Sequence, residues 1–249
     1  MFDAPLSVLL FAFAAFLLAG FVKGFIGMGL PTIATGLLTT LMAPGQAAAL
    51  LVVPNLTTNL WQALAGKHLR PLLKRFWPML LGVFVGTAPG AGFLASDASG
   101  RATMALGVML ILYALFALLS PRLRVPPQAE WWLAPIIGAL TGLLSVLTGV
   151  FVIPLVPYLN ALSLQREELI QAIGLNLVAS AVALAVALAR VGALSLPLAG
   201  ASLFALAPAG LGMLIGQRLR QRTHPALFVR VFAVGLLLIG LHLALGNLI

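Results

Sequence analysis

The chain contains no cysteine, and only 5 of its 249 residues are acidic. The absence of cysteine excludes a disulfide framework, thiol catalysis and cysteine-based metal sites. Its 3 histidines are scattered without metal-ligand spacing, so the sequence predicts no metal and no cofactor. It also lacks a phosphate-binding loop and a Gly-x-Ser-x-Gly elbow, and we therefore expect no catalytic residues and no enzyme.

Charge of either sign is scarce as well. Charged residues make up 8% of the chain, against roughly 25% in a soluble domain, and 62% of the residues are hydrophobic. A soluble domain of this length needs far more polar surface, so we predict an all-α polytopic membrane protein. The net charge of +9 lies in short basic clusters between apolar runs, which indicates topology signals and contacts with the lipid bilayer rather than a nucleic-acid partner.

Most of the sequence consists of long apolar segments. A membrane-spanning helix needs about 20 apolar residues. Two of the segments are short and contain glycine or proline, which predicts a broken or re-entrant helix in each. We expect about eight long spans, or about ten with the short segments counted. The segments are 5–24, 28–42, 46–66, 76–96, 102–120, 131–148, 149–160, 168–189, 195–217 and 227–248.

A weak internal repeat divides the chain in two. Each part has a long segment, a short broken one, an asparagine-containing one and two more long ones, at an offset of about 120 residues. We therefore predict one integral membrane domain that contains two transmembrane repeats, residues 1–125 and 126–249.

The basic clusters predict the orientation of these repeats. They lie between Lys67 and Arg75, at Arg122 and Arg124, and from Arg218 to Arg222. The positive-inside rule places all three in the cytoplasm. Each repeat then crosses the membrane an odd number of times, so the two are inverted and pseudo-symmetric. Both termini are predicted to be periplasmic.

Lys23 is the one charged residue between Asp3 and Lys67. A charge at membrane depth costs roughly 3 kcal/mol on insertion scales. Gly24, Gly27, Gly29 and Pro31 surround it and predict a helix break, which Gly149 and Pro154 repeat in the second half. Two simpler interpretations stay open, a lysine that snorkels to the headgroups and glycines that serve only helix packing.

An anion site near the break is the functional interpretation. Lys23 would supply charge, and the backbone at Gly27 and Gly29 would supply N–H groups. Asn55 and Asn176 occupy matching places in the two halves and could donate amide hydrogens to substrate oxygens. Thr58 and Gln62, on the same segment as Asn55, complete the predicted substrate-binding set. The alternative for the asparagines is ordinary interhelical hydrogen bonding.

These motifs resemble the TauE/SafE family of sulfite and organosulfonate exporters. The resemblance rests on Gly20–Gly29 followed by Pro31, on Pro54-Asn55, and on Gly142–Gly149 followed by Pro154. It covers nearly the whole chain. It implies a multi-pass permease of the bacterial inner membrane that moves a small sulfur-containing anion or another organic anion, usually outward.

The sequence therefore predicts a secondary transporter with alternating access around a midplane anion site. A passive anion channel with the same fold is the first alternative, and a membrane-embedded enzyme or assembly factor is the second. The predicted partners are a small anionic substrate and the bilayer. Coupling to protons and a homodimer both stay open.

Overall fold

The computed structural model describes residues 6–90, 100–119, 123–193, 196–220 and 225–245. Over these residues the chain is helical and contains no strand. A short 3₁₀ turn, Ala88–Gly90, follows the fourth α-helix. The α-helices are α1 Leu6–Ile26, α2 Leu30–Leu38, α3 Pro44–Leu64, α4 Leu69–Thr87, α5 Arg101–Leu119, α6 Pro127–Thr148, α7 Leu155–Ala161, α8 Arg166–Arg190, α9 Leu196–Arg220 and α10 Pro225–Leu245.

The lengths and composition of these helices are those of a polytopic membrane protein. Five helices within the described residues are long and apolar enough to cross a membrane, namely α1, α5, α6, α8 and the Gly200–Leu219 part of α9. Arg230–Leu245 is a shorter apolar helix. The all-helical membrane class is thus confirmed. The expected count of about eight long spans is not reached by this measure and stays a prediction.

Both short apolar segments hold short helices that follow a break in the helical structure. α1 ends at Ile26, and Gly27 and Gly29 then adopt φ angles of 93° and 102°, which glycine reaches without a Cβ clash. Pro31 lies in the first turn of α2, where its missing N–H removes no hydrogen bond. In the second segment only Leu155–Ala161 is helical, directly after Pro154.

Gly24 lies elsewhere than expected, inside α1 rather than at the break. α1 crosses α9 where Gly20 and Gly24 face Gly212 and Gly216. A Cβ atom built on Gly20 would lie 2.0 Å from the carbonyl oxygen of Ala209, and one on Gly24 would be 2.1 Å from that of Met213. The absence of side chains is therefore what allows the two backbones to touch.

A second crossing of the same kind joins α4 to α6. It pairs Gly82 and Gly86 with Gly138 and Gly142. A Cβ atom on Gly86 would lie 1.9 Å from the carbonyl oxygen of Ala139. α3 also packs against α8, and α5 against α10. The first helix of each predicted repeat thus packs against the fourth helix of the other repeat, while the third and fifth helices each pack against their counterparts. A duplication related by a twofold axis would produce this pairing.

Helix α3 contains a proline whose backbone gap is filled by another helix. Pro54 has no N–H, so the carbonyl of Leu50 loses its partner within α3. The hydroxyl of Ser202 on α9 donates to that carbonyl oxygen at 2.8 Å and accepts the Val53 N–H at 3.0 Å. Ser202 is fully buried, so it satisfies two backbone groups that water cannot reach.

We expect Gly212→Ala to destabilise the protein and Gly210→Ala to leave it nearly unchanged. Both glycines lie on α9, but a Cβ atom on Gly212 would be 2.0 Å from the carbonyl oxygen of Leu17, whereas one on Gly210 meets nothing within 4 Å. Overpacking of this kind costs about 1–3 kcal/mol. Thermal unfolding in detergent measures the effect, and equal melting temperatures for the two variants would contradict the crossing.

Ser202→Ala should lower stability by about 1 kcal/mol, because the carbonyl of Leu50 and the N–H of Val53 lose their partner. In a Pro54→Ala background the same change should cost less, since the alanine at position 54 brings an N–H for Leu50. A double-mutant cycle on unfolding free energies measures this coupling. If the two changes had additive effects on the free energy of unfolding, Ser202 would not compensate for the N–H that Pro54 lacks.

Candidate functional site

The centre of the candidate site is a buried cation. Lys23 is only 2% exposed, and its ammonium donates a hydrogen bond to Oδ1 of Asn59 on α3. Its side chain therefore lies inside the helix bundle and does not extend to the headgroups. The ion pairs found among the described residues are His68–Glu168 and Arg75–Glu130, so no described carboxylate neutralises Lys23. Asp3 and Asp97 lie outside the described residues.

A chain of amides leads from this cation along α3. Asn59 is fully buried, and its Nδ2 donates to Oδ1 of Asn55 at 2.7 Å. The two asparagines are four residues apart and so lie on one face of α3. Nδ2 of Asn55 has no hydrogen-bond partner among the described residues. The series Lys23, Asn59, Asn55 therefore ends in an unused donor.

Asn55 lies in the wall of a small central cavity. The cavity measures about 10 Å³, roughly what one water molecule needs. It is lined by α3, by α8 and by the non-helical chain that follows α6. Its lining residues are Ala48, Leu51, Val52, Asn55, Gly149, Phe151, Ala181 and Leu184. The predicted residues Asn55 and Gly149, from different halves of the chain, thus meet at this cavity.

A further polar side chain lies next to Gly149, although it is not itself part of the cavity lining. Gly149 has a φ angle of 73°, and a Cβ atom built on it would be 3.4 Å from Oγ1 of Thr35 on α2. That hydroxyl is buried and has no hydrogen-bond partner among the described residues, and the same holds for Thr32. The sequence interpretation passed over Thr35, although threonines three residues apart in a short apolar helix are a signal for a polar face.

Two of the predicted residues on α3 have other partners. The hydroxyl of Thr58 donates to the carbonyl oxygen of Pro54 at 2.6 Å. Nε2 of Gln62 donates to the carbonyl oxygen of Ile170 on α8 at 2.8 Å. Gln171 makes the corresponding bond from α8 to α3, because its Nε2 donates to the carbonyl oxygen of Ala63 at 2.7 Å. In this conformation Gln62 therefore joins α3 to α8, and its role in substrate binding stays a prediction.

Asn176 is buried in α8 and offers a different atom from Asn55. Its Nδ2 donates to the carbonyl oxygen of Ala172 at 2.9 Å, while Oδ1 has no partner among the described residues. The free atom is thus an acceptor, whereas the sequence suggested a donor. The glycine pairs also place Thr141 at the position in α6 that Lys23 holds in α1, because Gly138 and Gly142 match Gly20 and Gly24. The two halves therefore differ in charge at this position.

A larger pocket, of about 530 Å³, lies beside the break between α1 and α2. Ile26 and Met28 form part of its wall, and the ends of α5 and α7 and the first part of α10 form the rest. Its polar and aromatic lining comprises Tyr113, Phe116, Arg124, Asn160, Ser163 and Phe232. An apolar and aromatic wall with a few polar groups, at this size, is typical of a small-molecule site.

A comparison with protein families places the chain. The model of the family described as "Sulfite exporter TauE/SafE" matches residues 12–243, nearly the whole length. No curated protein and no solved structure matches the chain. The match includes every residue of the Lys23, Asn59 and Asn55 series and both cavities.

Proposed function

Because the chain belongs to the sulfite exporter TauE/SafE family, we propose that it is a secondary transporter that exports small sulfur-containing or organic anions. The observation that carries this proposal is Lys23, a buried cation whose one recorded hydrogen bond goes to a neutral amide. A lone charge at membrane depth is costly. An anion bound nearby lowers that cost, so the site favours anions over neutral solutes.

Alternating access is the mechanism that the helix pairing supports. The first helix of each half packs against the fourth helix of the other half. This pairing suits two inverted repeats that rock against each other around a central site. The two cavities are also consistent with alternating access, because the volume of the cavity beside Asn55 is only about 10 Å³ and that of the pocket beside Arg124 is much larger.

The orientation of the chain remains part of the proposal. The ends of α1, α5 and α7 and the beginning of α10 meet around the large pocket, and an Arg75–Glu130 ion pair at 2.5 Å joins the beginnings of α4 and α6. Three of these helix ends, the beginning of α4, the end of α5 and the beginning of α10, adjoin the basic clusters assigned to the cytoplasm by the positive-inside rule. The large pocket is then the cytoplasmic entrance, and both termini are periplasmic in a bacterial inner membrane.

Replacement of Lys23 by alanine should reduce sulfite flux in proteoliposomes by about ten-fold or more, because Lys23 is the one buried positive charge among the residues described. Lys23→Arg should retain part of the flux, since the charge and the donor remain. Lys67→Ala is the matched control, as Lys67 is exposed. Undiminished flux in Lys23→Ala, with flux in the control also intact, would remove Lys23 from the mechanism.

Counterflow separates the transporter from the channel. Proteoliposomes loaded with unlabelled sulfite should take up external radiolabelled sulfite faster than empty ones, because a carrier returns more quickly when it is loaded. A channel shows no such stimulation. Flux that neither saturates nor responds to internal substrate would therefore replace the transporter with the channel.

Arg124→Gln should raise the KM for an organosulfonate by about ten-fold and leave the maximal rate largely unchanged. Arg124 lines the entrance pocket and has no ion-pair partner among the described residues, so it acts on initial binding. Charge-assisted hydrogen bonds contribute about 1.5–3 kcal/mol. The control is Arg70→Gln, which removes an equally exposed charge that does not line the pocket. Equal KM values in the two variants would exclude a specific role for Arg124.

A further inference from the structure

We propose that Lys23 acts on the substrate through Asn59, as a positioning residue, and that the Nδ2 amide of Asn55 is the group that binds the anion. This inference rests on the proposed function and specifies its central site. The ligand class is an oxyanion face that only accepts hydrogen bonds, such as sulfite or the sulfonate end of an organosulfonate.

The direction of the hydrogen-bond series follows from Lys23. A lysine ammonium carries three donors and no acceptor. Asn59 must therefore turn its oxygen toward Lys23, which leaves its Nδ2 for Asn55. Asn55 must in turn present its oxygen to Asn59. Each amide is thus oriented by the cation, and neither can rotate by half a turn without placing donor against donor.

The far end of the series is consequently a donor at the cavity. Nδ2 of Asn55 has no partner among the described residues, and Asn55 lines the central cavity. Hydrogen bonds in a series polarise one another, and more so in surroundings that exclude water. The positive charge of Lys23 is therefore transmitted to the cavity as a strengthened N–H group, although Lys23 itself does not line the cavity.

A second unpartnered group lies behind the wall and does not alter that preference. The Thr35 hydroxyl beside Gly149 is unpartnered and can donate or accept. A fixed donor in the wall, with an adaptable hydroxyl behind it, accommodates an oxyanion and disfavours an ammonium or another group that only donates. In taurine, which has both ends, the sulfonate would enter this site. Because the cavity holds about one water, it widens when the anion binds.

The sharpest test is Asn59→Asp, which keeps the shape of the side chain. The new carboxylate accepts from Lys23 and also from Nδ2 of Asn55, so Asn55 turns its oxygen to the cavity. Sulfite uptake into proteoliposomes should fall by about ten-fold or more, while the melting temperature in detergent stays equal or rises because Lys23 gains an ion-pair partner. Wild-type uptake in this variant would overturn the inference.

A second pair of variants separates hydrogen-bond direction from charge. Lys23→Gln and Lys23→Met are both neutral and similar in length, but only glutamine can donate to Asn59. We expect the glutamine variant to retain at least about three-fold more sulfite uptake than the methionine variant, in keeping with the worth of one hydrogen bond. Equal loss in both would mean that Lys23 acts by charge alone, which also overturns the inference.

Binding can be followed without transport. The chain has 5 asparagines, so isotope-labelled asparagine gives few side-chain amide signals. Titration with sulfite should shift the Asn55 signal in the wild type and not in Asn59→Asp. An unchanged Asn55 signal in a wild type that transports sulfite overturns the inference alone. Absence of both uptake and any sulfite-dependent signal overturns the proposed function with it.

Discussion

The architecture depends on backbone contact between α1 and α9. Gly20 and Gly24 meet Gly212 and Gly216 so closely that no side chain fits between the two helices. With α1 fixed in this way, the Lys23 side chain, which leaves the helix between the two glycines, lies toward α3. α9 contacts α3 as well, through Ser202. Three helices from both halves of the chain thus hold the cation and its amides in place, and helix association in a bilayer relies on such packing.

Polar groups inside a membrane need partners, and this requirement explains most of the buried hydrogen bonds. The proline gap in α3 is filled by Ser202, and Gln62 and Gln171 connect α3 to α8 through main-chain oxygens. These side chains are committed to the fold. A few other buried atoms have no hydrogen-bond partner among the described residues, such as Oγ1 of Thr35. In a well-satisfied interior, such atoms are the ones available to a ligand.

Composition and glycine spacing were enough to predict an all-helical membrane protein with two short broken segments, but they left open whether Lys23 is buried or extends to the headgroups. They could not predict which glycines break a helix and which allow a crossing, because both uses need only the missing Cβ. Gly24, for example, lies within α1 at its crossing with α9, two residues before that helix ends. Asn59 was not chosen because its importance comes from the direction of a hydrogen bond to another helix. Gln62 shares a helix with Asn55, and only the tertiary contact shows that its amide is occupied by α8.

The position of Pro54 directly before Asn55 connects the proposed binding group to a weak point of its helix. Near Pro54, the Ser202 hydroxyl of α9 accepts the Val53 N–H and donates to the carbonyl oxygen of Leu50, which has no partner within α3. A rocking motion of α9 against α3 would break these bonds and let α3 bend at the residue before the amide donor. The cavity beside Asn55 is too small for a sulfur oxyanion while α3 is held in its present form. Bending of α3 and opening of the site would then be one event, so under the proposed function an anion bound to Asn55 would favour the conformation in which Ser202 is released.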